Sequence, residues 1–391
     1  MNKVIERENK SIFQTYNRLP IPVDRAEGVR VYDTNGNVYL DFLGGIAVNV
    51  LGHSNPKLLK AIEDQAKKYL HLSNFFFQEP QVKLAEMLKE KTGLDKVFFT
   101  NSGSETTDGA LKLIRKWGSQ QKNKKNQVVA FNGGFHGRTY GALSMMSKPL
   151  YKEGMGPFLE GISIINFNDI NALRDNIDAN TAGLVLEFIQ GEGGLISANK
   201  EFIEEINILK QRFNFLFVAD EIQTGVGRTG KFSSYEHYNI KPDIVTIAKG
   251  IGGGLPLGAL IAKEDVANVW EKGMHGTTFG GNALSCACGI VVIDELNNGL
   301  QDHINVISVY LISKLEALKA KHPDKINEVR GMGLMCGLEL KQEARPLVDR
   351  LLDEKRIITN ATSVNVLRLV PPFVITKDDV DEFISGLDDC L

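Results

Sequence analysis

A lysine stands where lysines are hard to keep. In VTIAKGIGGGLPLGALI (245–261), Lys249 ends an apolar run that reads as a buried strand, and a glycine-rich turn, Gly250 to Gly254, follows at once. A second chemical signal is Asp220–Glu221, at the end of the apolar run FLFVADEI (215–222). A carboxylate there lies on the edge where open α/β sheets bind ligands. Burying it without a cation is costly, and for a single such residue a structural salt bridge is the usual answer. The third signal is Asn101-Ser102-Gly103-Ser104, between the strand pattern KVFFTN and a helix face marked by Ala110, Leu113, Ile114 and Trp117. Unpaired N–H groups at a helix start favour an anion. Two hydroxyls and a glycine admit a phosphate closely, although the same residues also serve as a plain N-cap.

Taken together, the three signals ask for one ligand with a phosphate, a cationic ring atom and an electrophile. Pyridoxal phosphate has all three. Lys249 would be its covalent anchor, and Asp220 would keep the ring nitrogen protonated. The glycines after Lys249 leave room for ring and substrate. A rival from a different class is a nucleotide-binding protein, because GVGRTG (225–230) matches G-x-G-x-x-G and, with Lys231, nearly a P-loop. The context argues against both. DEIQT separates the motif from its strand, KFSSYEHY lacks helical spacing, and Phe232 stands where a P-loop needs Ser or Thr. The segment reads instead as a flexible turn near a site.

The elements that must position these residues follow from hydrophobic patterning. Seven apolar runs read as strands: 96–101, 127–134, 162–167, 182–188, 215–222, 243–250 and 258–264. Helical stretches lie between some of them, as in EFIEEINILKQRF, where Phe202, Ile206, Leu209 and Phe213 recur at helical spacing. This predicts βαβ crossovers and an α/β fold with a mostly parallel sheet covered on both faces. The expected large domain spans 56–284. The termini, 1–55 and 285–391, are expected to form a smaller α+β domain. It would hold a hairpin around TNGN, helices at about 283–321, and a last helix burying Val380, Phe383, Ile384 and Leu387.

The totals bound the class. The chain has 391 residues, 43% hydrophobic and 24% charged, with formal net charge −3. This is an ordinary globular profile that advertises neither nucleic acid nor an anionic membrane as a partner. KNKKN (122–126) reads as a solvated loop. Cys286, Cys288, Cys336 and Cys390 lack zinc spacing and are expected as reduced thiols in the cytoplasm. No metal site is expected. The N-terminus lacks the apolar core of a signal peptide, and no run of 18 apolar residues suggests a membrane span.

LVLEFIQGEGG, FVADEIQTGVGRTGKF, PDIVTIAKGIGGGLPLGA and HGTTFGGN resemble the class III pyridoxal-phosphate aminotransferases of fold type I, over nearly the whole chain. DFLGGIAVNVLGH, FHGRTYGALS and the short N-terminus are most similar to members acting on N2-acetylornithine. The resemblance implies an arginine-biosynthesis step passing the δ-amine of that substrate to 2-oxoglutarate. It implies that Lys249 anchors the cofactor and shuttles the proton, that Asp220 pairs with the ring nitrogen and that Gln223 reaches the ring hydroxyl. Ser102, Gly103 and Ser104 hold the phosphate, with Ser104 where the family usually has Thr. Phe135 and Ile222 cover the two ring faces. Thr278 reaches the phosphate of the neighbouring subunit, with Thr277 beside it near the substrate, which implies a homodimer with shared sites. Arg138 and Arg368 bind the substrate carboxylates, and Glu192 switches on and off Arg368. Glu187 braces the site, and His136 and His275 are expected to be structural. Ornithine, succinylornithine, acetyl-lysine-type and 4-aminobutyrate donors remain rivals. An arginine at position 30, where ornithine enzymes typically carry tyrosine, argues against free ornithine.

Overall fold

The computed structural model describes residues 3–391. Its first strands are β1 (Val23–Glu27), β2 (Arg30–Asp33) and β3 (Val38–Asp41), with TNGN as the β2–β3 turn. Asp33 makes that turn: its Oδ1 accepts from the N–H groups of Asn35 and Asn37, both at 2.8 Å. Gly36, at φ +84°, supplies the left-handed step. β3 also pairs, in parallel, with Ile357–Ile358, so strands from both ends of the chain share one sheet.

Next come β4 (Lys96–Thr100), β5 (Gln127–Phe131), β6 (Ile162–Ile165), β7 (Thr181–Leu186), the small hairpin β8 (Ile189–Gln190) and β9 (Ile196–Ser197), then β10 (Leu216–Asp220), β11 (Ile244–Ile247) and β12 (Gly258–Ala262). All but the hairpin form one seven-stranded sheet, ordered β4-β12-β11-β10-β7-β5-β6. Each of the seven apolar runs supplies one of its strands. β12 alone runs antiparallel, between β4 and β11, with Gly258 opposite Thr100. Successive side chains of a strand point to opposite faces, and here they serve two cores. Val128, Ala130, Val218 and Leu260 pack with the helix Gly103–Ser119. Val129, Phe131, Phe217 and Ala259 pack with the helix Lys200–Phe213. With both faces covered, the strands read as continuous apolar runs.

The remaining strands are β13 (Ile326–Met332), β14 (Met335–Leu340), β15 (Ile357–Ile358), β16 (Asn360–Thr362) and β17 (Val366–Leu369). β13, β14, β17 and β16 form a further sheet, in that order. The last helix, Lys377–Cys390, starts with a Thr376/Asp379 capping box and buries Val380, Phe383 and Leu387. Ile384, on the same predicted face, is only partly buried. The stretch 283–321 has the length and mean hydropathy of a membrane-crossing helix despite lacking an unbroken apolar run. It is broken at Leu296–Leu300, where Gly299 has φ +104°. Cys286, Val292, Ile293, Ile304, Leu311 and Leu315 are at most 1% exposed within the protein core, so it is the central helix pair of this fold.

The segment GVGRTG is not the flexible turn its composition suggests. Residues 225–229 are buried. Arg228 Nη1 donates to Leu334 O at 3.1 Å and Pro371 O at 2.5 Å, and its guanidinium lies 4.3 Å from the Phe373 ring centre. Burial lowers the Arg228 pKa to about 9. The backbone that would cradle a nucleotide is closed on protein groups.

Candidate active site

Lys249 leaves the sheet two residues beyond β11. Its own φ is +49°, a strained conformation for a side-chain-bearing residue. Gly253 and Gly254, also at positive φ, complete the turn. A side chain at Gly250 would place Cβ 2.8 Å from Val50 Cγ1, so the turn packs tightly under the lysine. Burial lowers the lysine pKa to about 8; Arg368 pushes the same way, while Glu187, Glu192 and Asp220 oppose it. The amine is thus poised near neutrality as a nucleophile and base.

Asp220 closes β10 and is 2% exposed. Its Oδ2 lies 2.7 Å from His136 Nδ1, and its Oδ1 accepts from Ile222 N at 3.1 Å. Burial disfavours charge on His136, yet the Asp220 hydrogen bond and the charges of Asp220 and Glu187 outweigh it and raise the ring's pKa. The adjacent Glu221 is different. It is held by Thr224 Oγ1 at 2.6 Å, Ser234 Oγ at 2.7 Å and Tyr235 N at 3.0 Å, all neutral donors, and burial pushes it up to about 7. Of this sequence pair, Asp220 belongs to the site and Glu221 to the core.

Ser102 is the N-cap of the helix Gly103–Ser119; its Oγ accepts from Glu105 N at 3.3 Å. The cap leaves the N–H groups of Gly103 and Ser104 without an intrahelical acceptor, so capping and anion binding coexist. A Cβ on Gly103 would stand 2.8 Å from Ile222 Cγ2, and one on Gly137 would stand 2.3 Å from Ser104 Oγ. These two glycines let the serine cup close against Ile222 and against the Phe135–Arg138 turn. There Ser104 Oγ accepts from Arg138 N at 3.1 Å, and Phe135 N donates to Glu187 Oε2 at 2.7 Å. Burial raises Glu187 to about 7, against the charge of His136. The exposed Arg138 side chain stacks on Tyr151, 3.7 Å from its ring centre.

Arg368, on β17, is 1% exposed. Its Nη1 donates to Glu192 Oε1 at 2.5 Å and to Gly191 O and Gln223 Oε1 at 3.3 Å, and its Nε donates to Asn360 Oδ1 at 3.2 Å. Burial acts to raise Glu192, but the charge and hydrogen bonds of Arg368 win, and its carboxyl titrates below the usual range.

The fold therefore joins Lys249, Asp220, Ile222, Gln223, the serine cup, Phe135, Arg138, Glu192 and Arg368 in one connected cluster. Thr277 lies beside it, its Oγ1 accepting from Asn101 Nδ2 at 3.1 Å. Thr278 faces solvent. Sequence reasoning set His136 aside, yet it touches Asp220 directly; its place next to Phe135 in FHGR was the signal. Tyr151 and Asn360, which orient the two arginines, carried no local signal. His275 is elsewhere, 2.8 Å from Lys112 Nζ and against Trp270. Arg30 does not reach the cluster: it is bound to Glu382 at 2.9 and 2.7 Å and to Asp379 at 2.8 Å on the last helix. Position 30 therefore brings no group to the cluster that could hold a donor's α-amino end.

The family model for class-III aminotransferases matches residues 12–391. The acetylornithine aminotransferase of Caldanaerobacter subterraneus subsp. tengcongensis is 44% identical, over 99% of both chains. In shape, the acetylornithine aminotransferase of Elizabethkingia anophelis matches with a TM-score of 0.88 at 33% identity, over 99% of this chain and 98% of the other. An ornithine aminotransferase of Toxoplasma gondii, described with pyridoxal phosphate partly occupying its active site, matches at 0.93 and 30%, over 99% and 93%.

Proposed function

This chain belongs to the class III aminotransferases, and from that premise we propose that it moves the δ-amino group of N2-acetyl-L-ornithine to 2-oxoglutarate, a step of arginine biosynthesis. The products are N-acetyl-L-glutamate 5-semialdehyde and L-glutamate. The observation that carries this reading is the Arg368–Glu192 pair in the same buried cluster as Lys249, with Arg138 beside it.

The residues fit pyridoxal phosphate. Lys249 offers a desolvated amine, the start of the helix Gly103–Ser119 offers an anion site, and Asp220 offers a buried carboxylate at the sheet edge. In this reading Gln223 would reach the ring hydroxyl, and Phe135 and Ile222 would cover the ring faces. When bound, the cofactor supplies an electron sink for the carbon that loses its proton. Lys249 Nζ takes that proton from the amine-bearing carbon and carries it onward. Its lowered pKa suits the task. His136 fixes the carboxylate of Asp220, whose negative charge keeps a ring nitrogen protonated.

Arg138 receives the donor's α-carboxylate and the distal carboxylate of 2-oxoglutarate, because a guanidinium fork matches a carboxylate. While the donor is bound, nothing negative on it meets Arg368, so Glu192 neutralises that cation. When glutamate forms or binds, its α-carboxylate takes Arg368 and Glu192 swings away. In this reading residues 56–284 are the cofactor-binding domain, and 1–55 with 285–391 form the smaller one. The working unit is a homodimer in which Thr278 of each chain completes the neighbour's phosphate site.

The test is the visible absorbance of the purified protein under N2-acetylornithine, ornithine or 4-aminobutyrate without any oxo acid. The cofactor band should bleach fastest with N2-acetylornithine and return on adding 2-oxoglutarate. Faster bleaching by another amine would move the substrate assignment. Absence of a band after incubation with pyridoxal phosphate would overturn the role of Lys249.

A further inference from the structure

The turn that carries Glu192 is fastened on both sides. Gly191 O accepts from Thr362 Oγ1 at 3.0 Å and from Arg368 Nη1 at 3.3 Å. Gly194 O accepts from Arg330 Nη1 at 3.2 Å. Between them Gly193 has no room for a side chain: a Cβ would stand 2.7 Å from Gly133 O and 2.9 Å from Gln190 Oε1. Leu195 N closes the turn onto Gln190 O at 3.0 Å. Arg330 is itself set by two carboxylates, its Nε bonding Glu328 Oε2 at 2.8 Å and its Nη2 meeting Glu339 Oε1 at 2.6 Å. The two ion pairs orient the fork so that its remaining donor faces the Gly194 carbonyl.

We infer that Arg330 is a positioning residue for substrate exchange: through Gly194 it holds the backbone of the turn still, so that Glu192 changes partners by side-chain rotation alone. A switch needs discrete arrangements. A loose turn would spread Glu192 over many positions and weaken its closed pairing with Arg368. That pairing matters only while the ω-amine donor is bound. Loosening the turn therefore penalises the donor half-reaction and spares the glutamate half-reaction. The inference rests on reading Glu192 as the switch.

The experiment measures kcat/KM of each half-reaction separately on holoenzyme, with N2-acetylornithine and with L-glutamate, in wild type, Arg330→Ala, Arg330→Gln, Arg330→Lys and Glu192→Gln. The donor-to-glutamate ratio is expected to fall about tenfold in Arg330→Ala. Arg330→Lys, which keeps the charge and one donor, recovers part of it. Glu192→Gln moves the ratio the same way and at least as far. An unchanged ratio in Glu192→Gln removes the switch reading and this inference with it. A shifted ratio there, with an unchanged ratio in an Arg330→Ala enzyme that keeps the wild-type circular dichroism and melting temperature, overturns the role of Arg330 alone. Where Arg330→Ala is instead destabilised and lowers both half-reactions together, Arg330→Gln, which keeps the stem but loses the guanidinium fork, decides the case: an unchanged ratio in it overturns the role.

Discussion

Around Lys249, ionisable groups are buried or half-buried and matched: Asp220 with His136, Glu192 with Arg368, Glu187 with a backbone N–H. Around Phe75 the reverse holds. Phe75 is 95% and Phe77 104% exposed, and Leu70, Leu72, Phe76 and Phe279 are exposed beside them in the sequence segments 70–77 and 275–281. The two segments are tied together, since Asn74 Nδ2 donates to Thr277 O at 3.2 Å and Gly280 O at 3.1 Å. Asn101, next to the serine cup, reaches the same Thr277. Open grooves of about 500 and 520 Å³ flank His275–Thr277 on this face. Charge must be satisfied within the chain, because an unpaired buried ion costs too much. Apolar surface can wait for a partner, and clustered exposed aromatics are the kind of surface that interaction sites use. The difference teaches that this chain partners its interior charges itself and leaves the apolar side chains of the rim to solvent.

The sharpest way to break the comparison is Lys249→Ala. The chain should fold, by circular dichroism, and lose at least about 10³-fold in transamination rate. An active variant would remove the buried cluster from the chemistry. Next is Phe75→Ser with Phe77→Ser, which should shift sedimentation toward a monomer. Loss of the neighbour's Thr278 should weaken cofactor affinity by about tenfold to a hundredfold. A monomer with undiminished affinity would show the rim to be complete in one chain.

A smaller effect is expected of His136→Leu, which leaves Asp220 buried without its ionic partner. Urea unfolding of the cofactor-free variant should show a loss of about 3 kcal/mol. Added pyridoxal phosphate should restore part of it by giving the carboxylate a new partner; equal loss with and without cofactor would separate Asp220 from the ring. The smallest effect lies in the core. The native pKa of Glu221, about 7, is above its ordinary 4.5. The native state holds that proton longer, so this group's contribution to stability falls as pH rises from about 4.5 to 7 and is flat above. Glu221→Gln should therefore gain about 2 to 3 kcal/mol relative to wild type at pH 8 compared with pH 5. An identical pH dependence in both proteins would contradict it.

The sheet was legible because strands buried on both faces announce themselves as apolar runs, and Lys249, Asp220 and Ser102–Ser104 were legible because each ends such a run. What stayed hidden depends on contacts between distant segments. Nothing local to Arg30 indicates that it binds the last helix, or that Tyr151 lies under Arg138. GVGRTG was misread as flexible because glycine content looks the same in a mobile turn and, as here, in a buried one that lets Arg228 reach carbonyls far along the chain. The apolar run alone does not separate Asp220 from Glu221, since neighbours at a strand's end differ only in the side they take; the family resemblance is what singled out Asp220.

The antiparallel strand β12 also has a consequence for the order of assembly. In the sheet, β4 touches β12 alone, and Thr100 meets Gly258 only after a very long loop has closed, which is a slow event. A chain still being synthesised thus cannot join β4 to the sheet until β12 exists, although the helix Gly103–Ser119 that follows β4 also packs on β7 and β11. Free cofactor then stabilises the fold that brings the serine cup to Lys249, by an amount that grows with the logarithm of its concentration.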